Sequence, residues 1–338
     1  MKQKYSFLGS GLLMLAFVLW TLLASTPAAL GILGDMFFQR MGIGFRIGAF
    51  GNYALLGLSE LLLLAPLVGY MLIVKVPPRA LMGNRTTALQ NVLAALFGVA
   101  VAVGVTGLSV ACSAFFSDVL HANLPDTSSY EAKTWPQLAA AAIALGVCAG
   151  VAEEPVFRGV LLRSLGGIKG KWPAILWSSF IFAIIHMDVV GTPTRFVVGV
   201  ALGMLAWRSG AVLPGVFAHA TYNSMALALN LILSSTGLAD WRGFYFLQGL
   251  PQGLNDTITW CIISVPFLLV AAGLWLAFDM ASSRGAAWRD RPYVRQPIPG
   301  RHWLAWAGAA LVTLALTGLT FLSMYLPQLS EMIPQFGG

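Results

Sequence analysis

Gly150-Val151-Ala152-Glu153-Glu154-Pro155-Val156-Phe157-Arg158-Gly159 sets two adjacent carboxylates and a guanidinium inside an otherwise apolar run. The segment around it, 136–157, is long enough to cross a bilayer, which takes about 20 residues of helix. A charge in the hydrocarbon is costly, so ionisable groups at such a place are functional candidates. Glu154 and Arg158 stand four apart and can pair on one helix face. Pro155 removes a backbone donor and disfavours helical geometry at Glu154. It therefore predicts a kink that frees carbonyls and makes room for water.

The chain around this stretch is built in the same way. Of its 338 residues 58% are hydrophobic and only 10% charged, where soluble domains carry roughly 25% charged residues. Apolar segments fall near 7–30, 53–74, 89–112, 136–157, 172–187, 196–207, 211–233, 258–279 and 303–326. The reading is an all-α polytopic transmembrane bundle of about eight or nine membrane helices. That excludes a secreted disulfide scaffold, a nucleic-acid-binding domain and a disordered chain. Cys112, Cys148 and Cys261 lie far apart in apolar segments and read as small buried hydrophobes.

With the N-terminus inside, 15 of the 20 Lys and Arg residues fall in inner connectors, leaving Arg40, Arg46, Lys133, Arg195 and Arg242 outside. Basic residues favour the cytoplasmic side, so the net charge of +7 marks topology and not a nucleic-acid partner. Lys2 and Lys4 before Leu12–Leu23 read as the start of an uncleaved first span, with a signal peptide as the alternative. Residues 1–135 then hold three spans, 136–235 a core carrying the ionisable residues, and 236–338 further spans with a basic cytoplasmic loop. That loop, Arg284–Arg301, reads as a positive-inside anchor.

Two more polar constellations sit in apolar context: Phe182 with His186, and His219 with Asn223, each pair one helical turn apart. The connector Gly166–Lys171 reads as a helix–helix turn. Glu153 and His186 then lie about 20–24 Å from it on either side, at one level of an antiparallel pair. His219 lies roughly 10–12 Å into its own span. The three constellations coincide in depth if the hairpin projects about 10 Å past the inner boundary, equivalent to some seven helical residues. The stretch Asp188–Arg195 must then turn within the membrane, which is allowed only where backbone is buried in protein or lines a wet cavity. The runs Gly146–Gly150 and Gly199–Gly203 would let helices approach closely around the site.

Hydrolysis of an amide needs an activated water, a group that holds the oxyanion and an acid for the leaving amine. No Ser or Cys stands in a nucleophile motif beside these histidines, which favours direct attack by water. A buried carboxylate suits a general base, and His186 can help position the water. His219 and Asn223 can both donate to an oxyanion, and Arg158 would hold Glu154 ionised. Zinc held by two His and a Glu is the competing reading, although there is no HExxH.

Glu153-Glu154-x-x-x-Arg158, Phe182-x-x-x-His186 and His219-x-x-x-Asn223, in this order, resemble the CAAX protease and bacteriocin-processing (CPBP, or Abi) family of intramembrane endopeptidases. These are related to the eukaryotic Ras-converting CAAX endopeptidase. Phe157-Arg158-Gly159 and the Gly199/Gly203 stretch add to the match, which covers about 136–235. The resemblance implies a glutamate-dependent, metal-independent endopeptidase with no cofactor. In it Glu153 is the general base, His186 its partner on the water, His219 and Asn223 the oxyanion hole, and Glu154 and Arg158 supports. Pro155 stands where many members have an aliphatic residue. Bacterial members generally do not process prenylated proteins, so the implied partners are the lipid bilayer and a membrane protein or peptide substrate. The implied location is a bacterial plasma membrane, with the site toward the cytoplasm.

Phe182, Asp188 and Arg195 are candidates for the substrate cavity, a simple loop pair being the alternative for the last two. Glu60, in Leu58–Leu64, reads as a protonated or interhelically bonded carboxyl, with a substrate contact as the alternative. His121 and His302 read as solvated, and Trp135, Trp172 and Trp303 as interfacial anchors. Two other classes remain: a catalytically silent scaffold or immunity protein, and a transporter. A transporter would show repeat symmetry with broken helices in both halves, whereas here the polar groups cluster in one region.

Overall fold

The computed structural model describes residues 6–124, 131–236, 249–250, 252–282 and 300–325. Seven of its helices are long and apolar enough to cross a membrane: α1 (Phe7–Arg40), α2 (Gly48–Val74), α3 (Ala88–Val119), α4 (Trp135–Gly167), α7 (Leu213–Leu233), α8 (Gly253–Ala281) and α9 (Gly300–Ser323). Between α4 and α7 lie two shorter helices, α5 (Lys171–Ile184) and α6 (Thr192–Ser209). Among the described residues the β structure amounts to one isolated bridge, Gly83 to Ala211. The protein is an all-α, polytopic membrane protein. Lys2, Lys4, Arg242 and the basic stretch Arg284–Arg295 lie outside the described residues.

Large apolar side chains face outward along the spans, among them Leu72, Ile73, Leu269, Leu304 and Leu311. Lipid solvates them, so burial of apolar area cannot hold such helices together; close backbone approach and interhelical hydrogen bonds do. A Cβ on Gly98 of α3 would collide with the Ala218 carbonyl of α7, and one on Gly107 would lie 2.8 Å from Cys261 Cα of α8. Gly107 N–H also donates to Ser264 Oγ at 3.0 Å. The α5–α6 hairpin closes in the same way, with a Cβ on Gly199 2.9 Å from that of Ser179.

One end of the bundle is tied by polar contacts. Asn84 N–H donates to Gly210 O at 3.0 Å and Val212 N–H to Met82 O at 2.9 Å, joining the α2–α3 and α6–α7 connections. Arg163 donates to Ala80 O at 2.7 Å, and Arg208 pairs with Asp279 of α8.

Besides the seven candidate spans, where eight or nine were expected, and Cys261, which is exposed and not buried, three details differ from the sequence reading. The first segment runs on past residue 30, as Phe7–Ala24 followed by Thr26–Arg40. The irregular backbone after α5 is shorter than Asp188–Arg195, because α6 already begins at Thr192. Pro155 produces no break: it opens a π-helical turn, Pro155–Leu161, and a second π turn, Ala142–Cys148, precedes the carboxylates. A π turn absorbs a missing donor by re-pairing the ladder, and such turns recur at functional sites.

Candidate active site

The α-helical piece between the two π turns, Ala149–Glu154, carries both carboxylates. It is pressed against α7: a Cβ on Gly146 would meet the Ala220 carbonyl at 2.9 Å, and one on Gly150 the Val216 carbonyl at 3.1 Å. Small residues at these two positions bring His219 onto the carboxylates.

Glu154 is fully buried. Its Oε1 accepts from Arg158 Nη1 at 2.7 Å and from His219 Nδ1 at 3.0 Å. Arg158, also buried, donates a second bond through Nη2 to Gly199 O at 3.1 Å and lies 4.6 Å from the centre of the Phe182 ring. A carboxylate only accepts, so His219 Nδ1 carries a hydrogen and its Nε2 is the atom left for chemistry. Breaking a buried pair of this kind leaves an uncompensated charge. The i,i+4 spacing of Glu154 and Arg158 is therefore a structural requirement, and it orients His219 as well.

Glu153 points the other way. Its Oε1 lies 3.8 Å from His186 Nε2, and its buried Oε2 has no protein partner. His186 Nδ1 lies 2.7 Å from the Phe182 carbonyl one turn earlier. A carbonyl cannot donate, so Nδ1 holds the hydrogen and neutral His186 turns a bare Nε2 toward Glu153. Two acceptors thus face each other across a gap too long for a direct hydrogen bond. Immediately after His186, Met187 takes a positive φ of 55°, uncommon for a residue with a side chain. Its carbonyl accepts from Thr320 of α9 at 2.6 Å. That bond pins the turn that ends α5 at the histidine.

Phe182 is buried between the pairs, its ring centre 5.1 Å from Phe157, 5.0 Å from His186 and 5.8 Å from His219. It is a wall of the site. Asn223, one turn beyond His219, donates through Nδ2 to Leu145 O at 2.6 Å, inside the first π turn. That bond fixes the amide and uses one of its two hydrogens.

Asp188 and Arg195 form a part-exposed ion pair at 2.6 Å, and Asp188 Oδ1 accepts from Gly191 N–H at 3.1 Å. Burial alone would raise the Asp188 carboxyl, but the charge and hydrogen bond of Arg195, with the Gly191 and Val190 amides, hold it below its ordinary value. The charge of Arg195 reaches both Glu153 and His186, so the pair belongs to the rim of the same site.

The three sequence constellations therefore meet in one place. Sequence reasoning missed Gly215, where a Cβ would lie 2.6 Å from Glu154 Oε2. Its only signal was a small residue after Pro214 at the start of α7, which also reads as a helix-start breaker. Among the described residues no three His, Cys, Asp or Glu side chains are grouped to hold an ion.

No curated protein and no solved structure matches the chain. Residues 135–225, which include Glu153, Glu154, Arg158, His186, His219 and Asn223, match the family model of the type II CAAX prenyl endopeptidases, Rce1-like. It is this segment, 135–225, that is similar to the Rce1-like type II CAAX prenyl endopeptidases.

Proposed function

We propose that the protein is an intramembrane endopeptidase that hydrolyses a peptide bond of a membrane-associated protein or peptide by glutamate-activated water. The observation that carries this reading is the 3.8 Å gap between Glu153 Oε1 and the bare Nε2 of His186. A water there donates one hydrogen to each acceptor and keeps a lone pair free to attack a carbonyl carbon. Glu153 takes a proton as the bond forms and returns it to the leaving amine, so no covalent intermediate and no cofactor is needed.

The oxyanion that develops on the carbonyl needs donors already in place. Asn223 has one amide hydrogen left beyond its bond to Leu145. His219 can donate through Nε2 only as the imidazolium, and the Glu154 carboxylate against Nδ1 is the group that stabilises that form. Arg158 holds Glu154 against that ring. Zinc has no role in this scheme.

His219 lies six residues into α7, about 9 Å along its axis. Its level is thus close to the end of the bundle that carries Arg163 and Arg208. By the distribution of Lys and Arg this end is cytoplasmic and the site opens toward it; the family resemblance points to a bacterial plasma membrane.

The test compares cells carrying wild type, Glu153→Ala and Glu153→Gln at matched abundance, with membrane proteins profiled for their N- and C-termini. Termini lost in both variants support the reading and identify the substrate. Unchanged termini would assign the chain to a catalytically silent scaffold.

A further inference from the structure

A third carboxyl, from outside the matched segment, stands on the helix that packs against the carboxylate-bearing part of α4. Tyr53, Gly57 and Glu60 descend one face of α2, spaced four and three apart. Tyr53 packs with Ala141 and Ala144 of α4. A Cβ on Gly57 would lie 3.4 Å from Ala144 and 3.6 Å from Cys148 Sγ. The two helices advance together in this register, so the next turn brings Glu60 to the level of residues 149–153. Its charge is felt at both Cys148 and Glu153.

Glu60 Oε2 is buried without a protein partner, as is Glu153 Oε2. The nearby cations already have carboxylates of their own: Arg158 pairs with Glu154 through Nη1 and Arg195 with Asp188, while His186 Nδ1 bonds the Phe182 carbonyl. From α7 the ionisable groups are His219, bound to Glu154, and Tyr222. On its other side α2 packs against α1 through Trp20 and Ala28, neither of them ionisable. Two carboxyls at close quarters in a low dielectric, without a cation of their own, do not both ionise near neutral pH.

We propose that Glu60 is the proton partner of Glu153: the two carboxyls hold one proton between them, and Glu60 keeps it while Glu153 acts as the base. Glu60 is then a positioning residue that sets the charge of Glu153, and the three N-terminal spans contribute chemistry to the site. The inference rests on the proposed function for its catalytic meaning, but the proton pair itself does not depend on proteolysis.

The test needs no substrate. The full chain in lipid nanodiscs is titrated by infrared difference spectroscopy in D2O, following the carboxylic C=O stretch in wild type, Glu60→Gln, Glu153→Gln and the double variant. Wild type should lose two protons in two steps. In Glu60→Gln the remaining carboxyl should titrate in one step, about one pH unit or more below the upper step of wild type. Glu153→Gln reads the same coupling from the Glu60 side, so failure of one variant to fold leaves the other. A carboxyl that titrates at the same pH with and without its partner would overturn the proposal while leaving the role of Glu153 in proteolysis untouched. Coupled titrations with unchanged termini in Glu153→Gln would be the converse outcome, in which the proton pair stands and the proteolytic reading fails.

Discussion

Glu154 Oε1 receives both Arg158 Nη1, at 2.7 Å, and His219 Nδ1, at 3.0 Å. One carboxylate oxygen therefore joins the charge that holds α4 to the ring that α7 brings to the site. Glu153 is left free of that pair, facing His186. Two adjacent residues of one type have different tasks because successive side chains on a helix point about 100° apart, at 3.6 residues per turn.

Removing Arg158 leaves the Glu154 charge uncompensated in the interior. Arg158→Met should cost about 3–5 kcal/mol of stability. The double variant with Glu154→Gln should recover part of that loss, because no bare charge remains. Thermal unfolding in detergent checks both. An equal loss in the single and double variants would show that the guanidinium acts through packing alone.

Gly215 offers a way to displace Glu154 without touching it chemically. The added methyl of Gly215→Ala would meet Glu154 Oε2 at 2.6 Å, the mobile end of a side chain, whereas that of Gly203→Ala meets Ile175 at 3.2 Å. Both variants should reach near wild-type abundance. Gly215→Ala should lose cleavage by at least an order of magnitude, corresponding to about 1.4 kcal/mol of transition-state stabilisation. Gly203→Ala should lose little. Equal activity in the two would place Glu154 outside the mechanism.

His219→Phe and Asn223→Ala each remove one oxyanion donor. Each should lower the cleavage rate by about 10²–10³-fold, measured on a peptide identified by its terminus. Asn223→Ala additionally strands the Leu145 carbonyl, at a stability cost of about 1–3 kcal/mol. Unimpaired turnover in His219→Phe would remove the imidazolium from the account.

The Asp188–Arg195 pair has a defined pH window. The folded carboxyl is held below its unfolded value, so its contribution is fully present above the unfolded pKa of about 3.9. It is lost as pH falls through the folded value. Hydrogen exchange at Gly191 should therefore stay constant from pH 8 to pH 5, once corrected for intrinsic rates. In Asp188→Asn it should be faster throughout, by no more than the roughly 0.2–1 kcal/mol of an exposed pair. Loss of protection between pH 8 and 5 in the wild type would contradict this.

The meeting of the three constellations was legible in the sequence because helical spacing and rise are fixed quantities: four residues between His219 and Asn223 mean one face, and equal counts from the Gly166–Lys171 turn mean equal depth. The π turns were not legible. Their sequences, Ala142–Cys148 and Pro155–Leu161, satisfy an α-helical pattern equally well, and only packing distinguishes the two, the first lying against α7 and the second against α5 and Pro78–Met82. Nor was the face that α2 turns to α4, because Gly57 and Ala144 come together only after the whole of α3 has been folded away between them. The hydrogen on His219 Nδ1 follows from its partner in space and so had no sequence signal at all.

The central claim is that Glu153, without a metal, activates the water. Its most direct test uses purified full chain in lipid, a membrane peptide bearing one of the termini lost in the Glu153 variants, and excess chelator with metal content measured in parallel. Metal-free wild type should keep its cleavage rate, and Glu153→Gln should fall by about 10²–10⁴-fold. Cleavage that disappears on chelation and returns with added zinc would contradict the account.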